Sequence, residues 1–136
     1  MIVLDCSAAV DIVRKTAEGD ALQSLFVPEE YVIAPELLYV EIASAFGKYA
    51  KANVMNDREA LESIRDAIEL VDEFIPNREN FIEAFHESVR MDHSVYDIMY
   101  LTLARRNKAT LMTLDNKLIK LCEQHGVDCV HKVVFG

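Results

Sequence analysis

The sequence has little cysteine: only Cys6, Cys122 and Cys129 are present. None of the three forms a CxxC pair or the Cys/His spacing of a structural zinc site, so a zinc-stabilised fold is not expected. An odd cysteine count also disfavours a disulfide framework and is typical of reduced thiols in a cytoplasmic protein. We therefore expect a cytoplasmic protein whose fold depends on its own hydrophobic core.

Long hydrophobic runs are missing as well. Charged residues interrupt every segment before about 18 apolar residues accumulate, which is the length that a membrane-spanning helix needs. The first residues, up to Asp5, also lack the basic region of a signal peptide. The 136 residues include 4 Gly and 3 Pro, which do not cluster into a linker or a repeat. The sequence predicts a single domain over residues 1–136 without a membrane span.

Positive charge is scarce, because 14 Lys and Arg stand against 23 Asp and Glu and give a net charge of −9. This balance argues against the broad, charge-driven nucleic-acid binding of basic proteins, so any such contact should be local. Groups of a few basic residues are more often solvated helix faces than binding sites. The groups present are Arg14 with Lys15, then Arg105, Arg106 and Lys108, then Lys117 with Lys120.

What the sequence does have is an alternation of short apolar runs and amphipathic segments. Strands are predicted over residues 2–5, 31–34, 73–76, 109–113 and 127–134. Helices are predicted over 7–16, 20–26, 35–52, 57–71, 77–91, 94–107 and 115–126. Strands this apolar favour a mostly parallel sheet that is covered by helices on both faces. The prediction is a three-layer α/β/α domain with a roughly five-stranded sheet.

Two aspartates follow predicted strands closely. Asp5 ends the run "IVLD" and Asp115 ends the run "LMTLD", so two distant parts of the chain deliver a carboxylate to the same edge of the sheet. In open parallel sheets, ligands bind at this carboxyl edge. Each aspartate alone could equally be a helix N-cap.

Two further carboxylates lie in apolar helices. Glu41 borders the apolar face of its helix and has no Lys or Arg three or four positions away, so it should be protonated, bound to a cation, or paired with a distant arginine. Asp97 interrupts "SVYDIMYLTLA", where Ser94 and Asp97 also fit a capping box at a helix start. Four carboxylates held close together would repel one another unless a divalent cation lies between them. Oxygen ligands select Mg²⁺ or Mn²⁺, which can polarise a phosphoryl group and activate water.

The acidic residues belong to four short motifs in order. The motifs are Asp5 with Ser7, Pro35-Glu36 leading to Glu41, Tyr96-Asp97 continuing through Tyr100-Leu101 to Leu103-Ala104, and Thr113-Leu114-Asp115. In these motifs, over nearly its whole length, the chain resembles the PIN-domain ribonucleases, and among them the VapC-like toxins of toxin–antitoxin pairs.

The resemblance implies a PIN-like fold and a magnesium- or manganese-dependent endoribonuclease that hydrolyses RNA. It assigns the metal site to Asp5, Glu41, Asp97 and Asp115, with Ser7, Thr113 and Asn116 as supporting residues. Some family members carry a further acid after the last aspartate, where this chain has Asn116, so the number of metal ions stays open. A cognate antitoxin and a homodimer are also implied. The RNA target and the cleavage point cannot be predicted.

Other protein classes fit less well. A haloacid dehalogenase-like phosphatase needs a second acid where Ser7 stands, and a receiver-like domain needs an acidic pair after its first strand. Cysteine catalysis by Cys6 has no supporting histidine spacing. The remaining alternative is a PIN-like module that binds RNA or protein without cleavage. Apolar helix faces at Leu61-Ile64-Ile68 and Leu38-Phe46 could receive a partner helix or fill the core.

Overall fold

A computed structural model describes residues 1–132, and its centre is a five-stranded sheet in the order β3-β2-β1-β4-β5. The strands are β1 (Ile2–Leu4), β2 (Val32–Pro35), β3 (Glu73–Ile75), β4 (Thr110–Met112) and β5 (Cys129–Val130). Every neighbouring pair is parallel, with Val3 opposite Ile33 on one side and Leu111 on the other. The predicted parallel sheet is confirmed, while residues 133–134 of the predicted last strand lie outside the described part.

Helices connect the strands and form the two outer layers. They are α1 (Cys6–Arg14), α2 (Ala17–Gln23), α3 (Leu37–Lys51), α4 (Asp57–Glu69), α5 (Phe81–Met91), α6 (Val95–Asn107) and α7 (Asn116–His125). Helix α6 packs on β1, β2 and β4 and against α5 and α7, whereas α1 packs with α2, α3 and α4. The predicted three-layer α/β/α arrangement is therefore confirmed. Among residues 1–132, no helix combines the length and apolar character needed to cross a membrane.

Helix α6 lies in the middle of the molecule. Every residue from Ile98 to Ala104 is buried, which explains why its sequence is apolar on all sides rather than amphipathic. Within that stretch, Thr102 donates to the carbonyl of Ile98 and accepts from the side-chain amide of Asn80. The largest fully buried side chains of the core include Leu4, Leu22, Ile33, Leu38, Ile42, Phe46, Ile98, Leu101, Leu111, Met112 and Leu118.

Three helix starts differ from the prediction by two residues or more. Helix α2 begins at Ala17 rather than at residue 20, because Thr16 is its N-cap. Pro35 was expected to open a helix, but it is the last residue of β2, and α3 begins two residues later. Pairing between β1 and β2 ends at Ile33, so a proline at this point removes no hydrogen bond to β1. The helix predicted from Asn77 is divided into a 3₁₀ turn, Asn77–Glu79, and α5. Asn77 accepts from the backbone N–H of Leu37 and so ties this turn to the start of α3.

Candidate active site

Asp5 lies at the carboxyl end of β1 and is 5% exposed. It is the N-cap of α1, where its Oδ1 accepts from the backbone N–H of Ala8 at 3.0 Å and from the Ser7 hydroxyl at 2.8 Å. Its Oδ2 accepts from the Thr113 hydroxyl at 2.5 Å. Burial nevertheless raises the pKa of Asp5 to about 7, and the nearby charge of Asp115 adds to the rise against the lowering effect of these donors.

Ser7 and Thr113 join the ends of β1 and β4. Their hydroxyl oxygens are 3.3 Å apart. Ser7 also accepts from the backbone N–H of Leu114 at 2.9 Å, and Thr113 accepts from the backbone N–H of Asp115 at 3.0 Å. The two hydroxyls therefore fix the positions of Asp5 and Asp115 relative to one another, as expected for polar support.

Asp115 is the N-cap of α7. Its Oδ1 accepts from the backbone N–H groups of Lys117 at 2.8 Å and Leu118 at 3.2 Å. The helix-cap interpretation is thus correct for both strand-end aspartates, and it is compatible with a site because each carboxylate still faces the same cleft. Asn116 is exposed at the first position of α7 and is not among the residues that line this cleft.

Glu41 is half-buried on α3, and its partner is a tyrosine rather than an arginine. The Tyr100 hydroxyl on α6 donates to Glu41 Oε1 at 2.5 Å. Burial raises the pKa of Glu41, the Tyr100 hydrogen bond opposes that shift, and the charge of Asp97 reinforces it. Burial and the Glu41 charge also raise the pKa of Tyr100, so this hydroxyl remains a neutral donor.

Asp97 lies in the first turn of α6. Ser94 is the N-cap, as predicted, and accepts from the backbone N–H of Tyr96 at 3.3 Å. The carboxylate of Asp97 contacts His93 instead of completing a capping box, with Asp97 Oδ2 2.9 Å from His93 Nε2. One oxygen of Asp97 is thereby oriented by the residue that leads into the helix.

The four predicted carboxylates line a single cleft of about 530 Å³, the acidic cleft. They come from four separate elements, which agrees with the carboxyl-edge prediction. Asp11, Cys6 and Tyr100 also line it, although the sequence interpretation assigned them no role. Asp11 was detectable in principle, because it follows Ser7 by four residues in α1 and so lies on the same helix face.

The acidic cleft is lined by carboxylate oxygens, which are the ligands that hard cations prefer, but these oxygens are not yet arranged around one point. Among residues 1–132, no three acidic, histidine or cysteine side chains are grouped closely enough to hold an ion as they stand. Glu41 Oε2, Asp97 Oδ1 and Asp115 Oδ2 form no hydrogen bond within the described residues, however, and are available as oxygen ligands. Burial is the main cause of the raised pKa of Asp5, and the charge of Asp115 adds to it, so a cation in the cleft would favour the ionised form. The residues therefore fit Mg²⁺ or Mn²⁺.

The parallel sheet and the cleft at its carboxyl edge define an α/β domain with an acidic site. A family model described as the PIN domain matches residues 2–124. Ribonuclease VapC12 of Mycobacterium tuberculosis is 30% identical over 129 residues, which are 93% of each chain. The chain belongs to the PIN-domain family, and the resemblance to VapC-like proteins noted in the sequence is confirmed.

Two solved structures support the fold. The crystal structure of PAE2754 from Pyrobaculum aerophilum matches with a TM-score of 0.72 at 18% identity, covering 95% of this chain and 83% of that one. The structure of VapC20 from Mycobacterium tuberculosis, described as a toxin that cleaves the sarcin–ricin loop, matches with a TM-score of 0.62 at 15% identity, covering 89% of this chain and 95% of its own. At these identities the matches establish a shared fold.

Proposed function

We propose that this protein is an endoribonuclease that hydrolyses phosphodiester bonds of RNA with Mg²⁺ or Mn²⁺, and that it is the VapC-like toxin of a toxin–antitoxin pair. The observation that carries the proposal is the arrangement of Asp5, Glu41, Asp97 and Asp115, which reach one cleft from four separate elements. Membership of the PIN family and the 30% identity with a protein named as a ribonuclease support a nuclease.

The four carboxylates are the residues that would hold the cation. When bound, Mg²⁺ or Mn²⁺ supplies a Lewis acid for a phosphoryl oxygen and lowers the pKa of an attacking water. The chain's own hydrogen bonds hold the ligands in position: Thr113 orients Asp5, and Tyr100 orients Glu41. His93 does the same for Asp97. Such support keeps ligand oxygens directed into the cleft before substrate arrives.

The direct test compares RNA ends produced by wild type and by Asp5→Asn. After induced expression, sequencing of 5′ ends should reveal wild-type cleavage sites that are absent with Asp5→Asn and present with Asp66→Asn. Asp66 is a suitable control because it is an exposed aspartate on α4, outside the acidic cleft. Identical end maps for wild type and Asp5→Asn would contradict the nuclease proposal.

Metal binding is tested separately by calorimetric titration of the purified protein with Mn²⁺. We expect Asp97→Asn to weaken binding while the protein stays folded, because asparagine remains compatible with the first turn of a helix. Unchanged affinity in the folded variant would remove Asp97 from the site. If the wild type binds RNA and cleaves none of the RNAs supplied with Mg²⁺, the non-catalytic PIN-like binding module becomes the better description.

A basic protein partner is the second part of the proposal. The acidic cleft and the net charge of −9 favour a segment rich in Arg or Lys, and an arginine among the carboxylates would compete with the cation. Leu38 and Phe46 are fully buried in the core, so that face of α3 is not free for a partner, whereas Leu61 on α4 is exposed.

Co-expression with the small open reading frame beside the gene should yield a stable, inactive complex. A neighbour that neither binds nor inhibits would remove the toxin assignment and leave the nuclease.

A homodimer is the third part. Helix α5 exposes an apolar face, here called the α5 face, made by Phe81, Ile82, Phe85 and Val89, whose exposures are 50%, 59%, 55% and 68%. Two copies of a chain with charge −9 repel each other, so an uncharged surface is where they can meet. Light scattering after size exclusion should give a dimer for wild type and for Leu61→Glu, and a monomer for Phe85→Glu. A monomeric wild type would contradict the dimer, and a dimeric Phe85→Glu would exclude the α5 face.

A further inference from the structure

A second cleft adjoins the acidic one, and Asp97 lines both of them. It has a volume of about 510 Å³ and lies between the end of α5, the start of α6 and one face of α7. Lys117, Lys120 and Gln124 line it from α7, and His93 lines it from the segment before α6. We call this cleft the lysine groove. The two clefts meet at the same carboxylate, so a chain-like ligand can pass from one to the other.

The charge of the lysine groove differs from that of the acidic cleft. Lys117 and Lys120 are exposed, lie three residues apart on α7, and form no ion pair within the described residues. At this spacing their Cβ atoms are about 5–6 Å apart on one helix face. Asp92 is the only acid of this groove besides the shared Asp97. The two lysines balance the two aspartates of the lysine groove, whereas the acidic cleft is lined by carboxylates without a basic residue.

The arginines of the three basic groups in the sequence are engaged elsewhere. Arg14 donates to the Tyr49 hydroxyl at 2.9 Å. Arg105 pairs with Glu83 at 2.6 Å and with Glu87 at 3.0 Å, and Arg106 donates to the carbonyl of Glu79. These guanidinium groups hold α6 against α5. Lys117 and Lys120 therefore remain as cations that line the groove beside Asp97, and Lys48 on α3 is a further cation, close enough to Cys6 to oppose the rise that burial causes in the pKa of its thiol.

We propose that the lysine groove binds the sugar–phosphate backbone of the RNA on one side of the bond that is cleaved, with Lys117 and Lys120 contacting phosphates. This inference rests on the proposed function and adds the path of the substrate to it. Gln124 and Ser94 are neutral hydrogen-bonding groups in the same groove. Contacts to phosphate and sugar fix the register of a nucleic acid without reading its bases. The groove therefore positions RNA and leaves base selection to other contacts.

An acidic peptide could also be attracted by two lysines, but RNA fits the whole arrangement better. Its backbone is continuous, so one phosphate can lie among the acidic ligands and their cation while the neighbouring phosphates lie at the lysines. An acidic peptide gains nothing from the carboxylates at the other end of the path, since like charges repel.

The experiment measures RNA binding without cleavage. Asp5→Asn protein, in which cleavage is expected to be lost, is titrated in the presence of Mg²⁺ into a fluorescent single-stranded RNA of random sequence, at several salt concentrations. The test variant carries Lys117→Gln and Lys120→Gln in addition. The matched control carries Arg58→Gln and Arg65→Gln, which remove the same charge from exposed positions on α4 outside both clefts.

We expect the lysine variant to bind RNA about tenfold or more weakly at moderate salt, because two phosphate contacts are lost. The slope of log K against log salt should also become less steep, by about 0.7 for each lost contact and so by about 1.4 for both. The control should keep the slope of the parent, and Lys117→Arg with Lys120→Arg should restore binding. An unchanged slope in the lysine variant would overturn the inference. Polyglutamate serves as the acidic-peptide probe in the same titration. A lysine variant that loses affinity for polyglutamate while its affinity for RNA is unchanged would also overturn the inference.

The active protein separates this inference from the proposed function. The same lysine substitutions are also made in the active protein, which keeps Asp5, and cleavage is measured with Mg²⁺. They should raise KM and leave kcat nearly constant, because they remove binding that is equally strong in the ground state and the transition state. If wild type cleaves RNA and the lysine substitutions change neither KM nor binding, the groove inference is wrong and the nuclease stands. If wild type cleaves no RNA but binds it through the lysines, the groove inference stands and the nuclease proposal fails.

Discussion

Asp5 combines strong local hydrogen bonding with an unfavourable electrostatic position. Three donors point at its two oxygens, yet its pKa rises to about 7 because it is buried and faces Asp115. A carboxylate in this state is stabilised by anything that supplies positive charge. The residue that caps α1 would therefore be stabilised in its ionised form by the proposed cation.

The first prediction concerns Asp5 and pH in the absence of metal. The folded-state pKa of about 7 lies above the ordinary value of 3.8 for an aspartate. The stabilising contribution of the protonated group is therefore complete below about 3.8 and is lost as pH rises through about 7. In EDTA, the free energy of unfolding should fall by roughly 2 kcal/mol between pH 5 and pH 8.5 because of this group.

Urea unfolding at both pH values checks this prediction. Asp5→Asn should have a distinctly smaller difference between the two, since asparagine does not titrate and still accepts at the helix N-cap. Asp66→Asn should behave as the wild type does. A pH dependence in Asp5→Asn equal to that of the wild type would mean that other groups cause it.

The second prediction concerns Tyr100, the hydroxyl donor to Glu41. Tyr100→Phe should cost about 1 kcal/mol of stability through the lost hydrogen bond. It should also weaken Mn²⁺ binding, because support of this kind is worth about tenfold or more in metal affinity. Tyr31→Phe is the matched control, since Tyr31 donates to Glu73 at 2.7 Å on an exposed part of the sheet. Equal Mn²⁺ titrations for the two variants would mean that Tyr100 does not orient Glu41 for the cation.

The carboxylates of the cleft could be predicted from the sequence, but their partners could not. Asp5 and Asp115 are recognisable because strand ends meet at one edge of a parallel sheet, and Glu41 because it lacks a charged neighbour within its helix. Tyr100 reads as one more apolar core residue of α6, and only its tertiary contact across 59 positions reveals the hydrogen bond to Glu41. The contact between His93 and Asp97 depends on the turn before α6, whose geometry the sequence leaves open.

At the level of elements, glycine is needed where α2 turns back against α1. A Cβ added at Gly19 would lie 2.0 Å from the carbonyl oxygen of Asp11, which is backbone and cannot swing away. That carbonyl also accepts from the backbone N–H of Thr16, the N-cap of α2. The close approach of the two helices therefore depends on the missing side chain.

The third prediction compares two glycine substitutions in helices. Gly19→Ala should lower the free energy of unfolding by about 2 kcal/mol or more, because overpacking against backbone forces α1 and α2 apart. Gly47→Ala on α3 meets nothing within 4 Å and should raise stability by about 0.5–1 kcal/mol through helix propensity. Thermal melts of the two variants should move in opposite directions. A neutral Gly19→Ala would show that the junction adjusts more easily than its geometry indicates.

The fourth prediction concerns the ion pairs that join α5 to α6. Glu87 accepts from Arg90 and Arg105, and these hydrogen bonds lower its pKa to about 2 from the ordinary value of 4.5 for a glutamate. Its stabilising contribution is present above pH 4.5 and is lost as pH falls towards about 2. Glu87→Gln should cost about 1 kcal/mol at pH 7, a modest amount because the arginines are in contact with solvent, and little at pH 2.5. Urea unfolding at the two pH values measures the difference, with Glu62→Gln on α4 as a control.

The positions of helices and strands were predictable where the spacing of apolar residues is clear. They were less predictable where strand pairing and backbone hydrogen bonds determine where an element begins. The all-buried stretch of α6 and the strands β1 and β4 follow from apolar runs bounded by polar residues. Pro35 is ambiguous in sequence, since proline suits both the first turn of a helix and a strand residue that has no pairing partner on its N–H side. The register with β1, which ends at Ile33, resolves the ambiguity, and register is a tertiary property.

For the whole molecule, the position of charge matters more than its total. The net charge of −9 argues against general nucleic-acid binding, yet two lysines adjoin the one cleft where carboxylates converge. A bound divalent cation would offset two of the negative charges there and reduce the repulsion between the acidic cleft and a phosphate that reaches it from the lysine groove. The protein can thus be acidic as a whole and still bind a polyanion at one place.

The fifth prediction concerns the effect of the proposed cation on the stability of the fold. Mn²⁺ that binds the folded chain and not the unfolded one should raise the free energy of unfolding by about 2.7 kcal/mol at 100 times its dissociation constant. The gain should be larger at pH 8 than at pH 5, because deprotonated Asp5 is both the better ligand and the greater source of repulsion without metal. Urea unfolding with Mn²⁺ and with EDTA at each pH measures it, and Asp5→Asn should lose most of the gain while Asp66→Asn keeps it. Equal stabilisation of wild type and Asp5→Asn by Mn²⁺ at pH 8 would mean that the ion binds outside the acidic cleft.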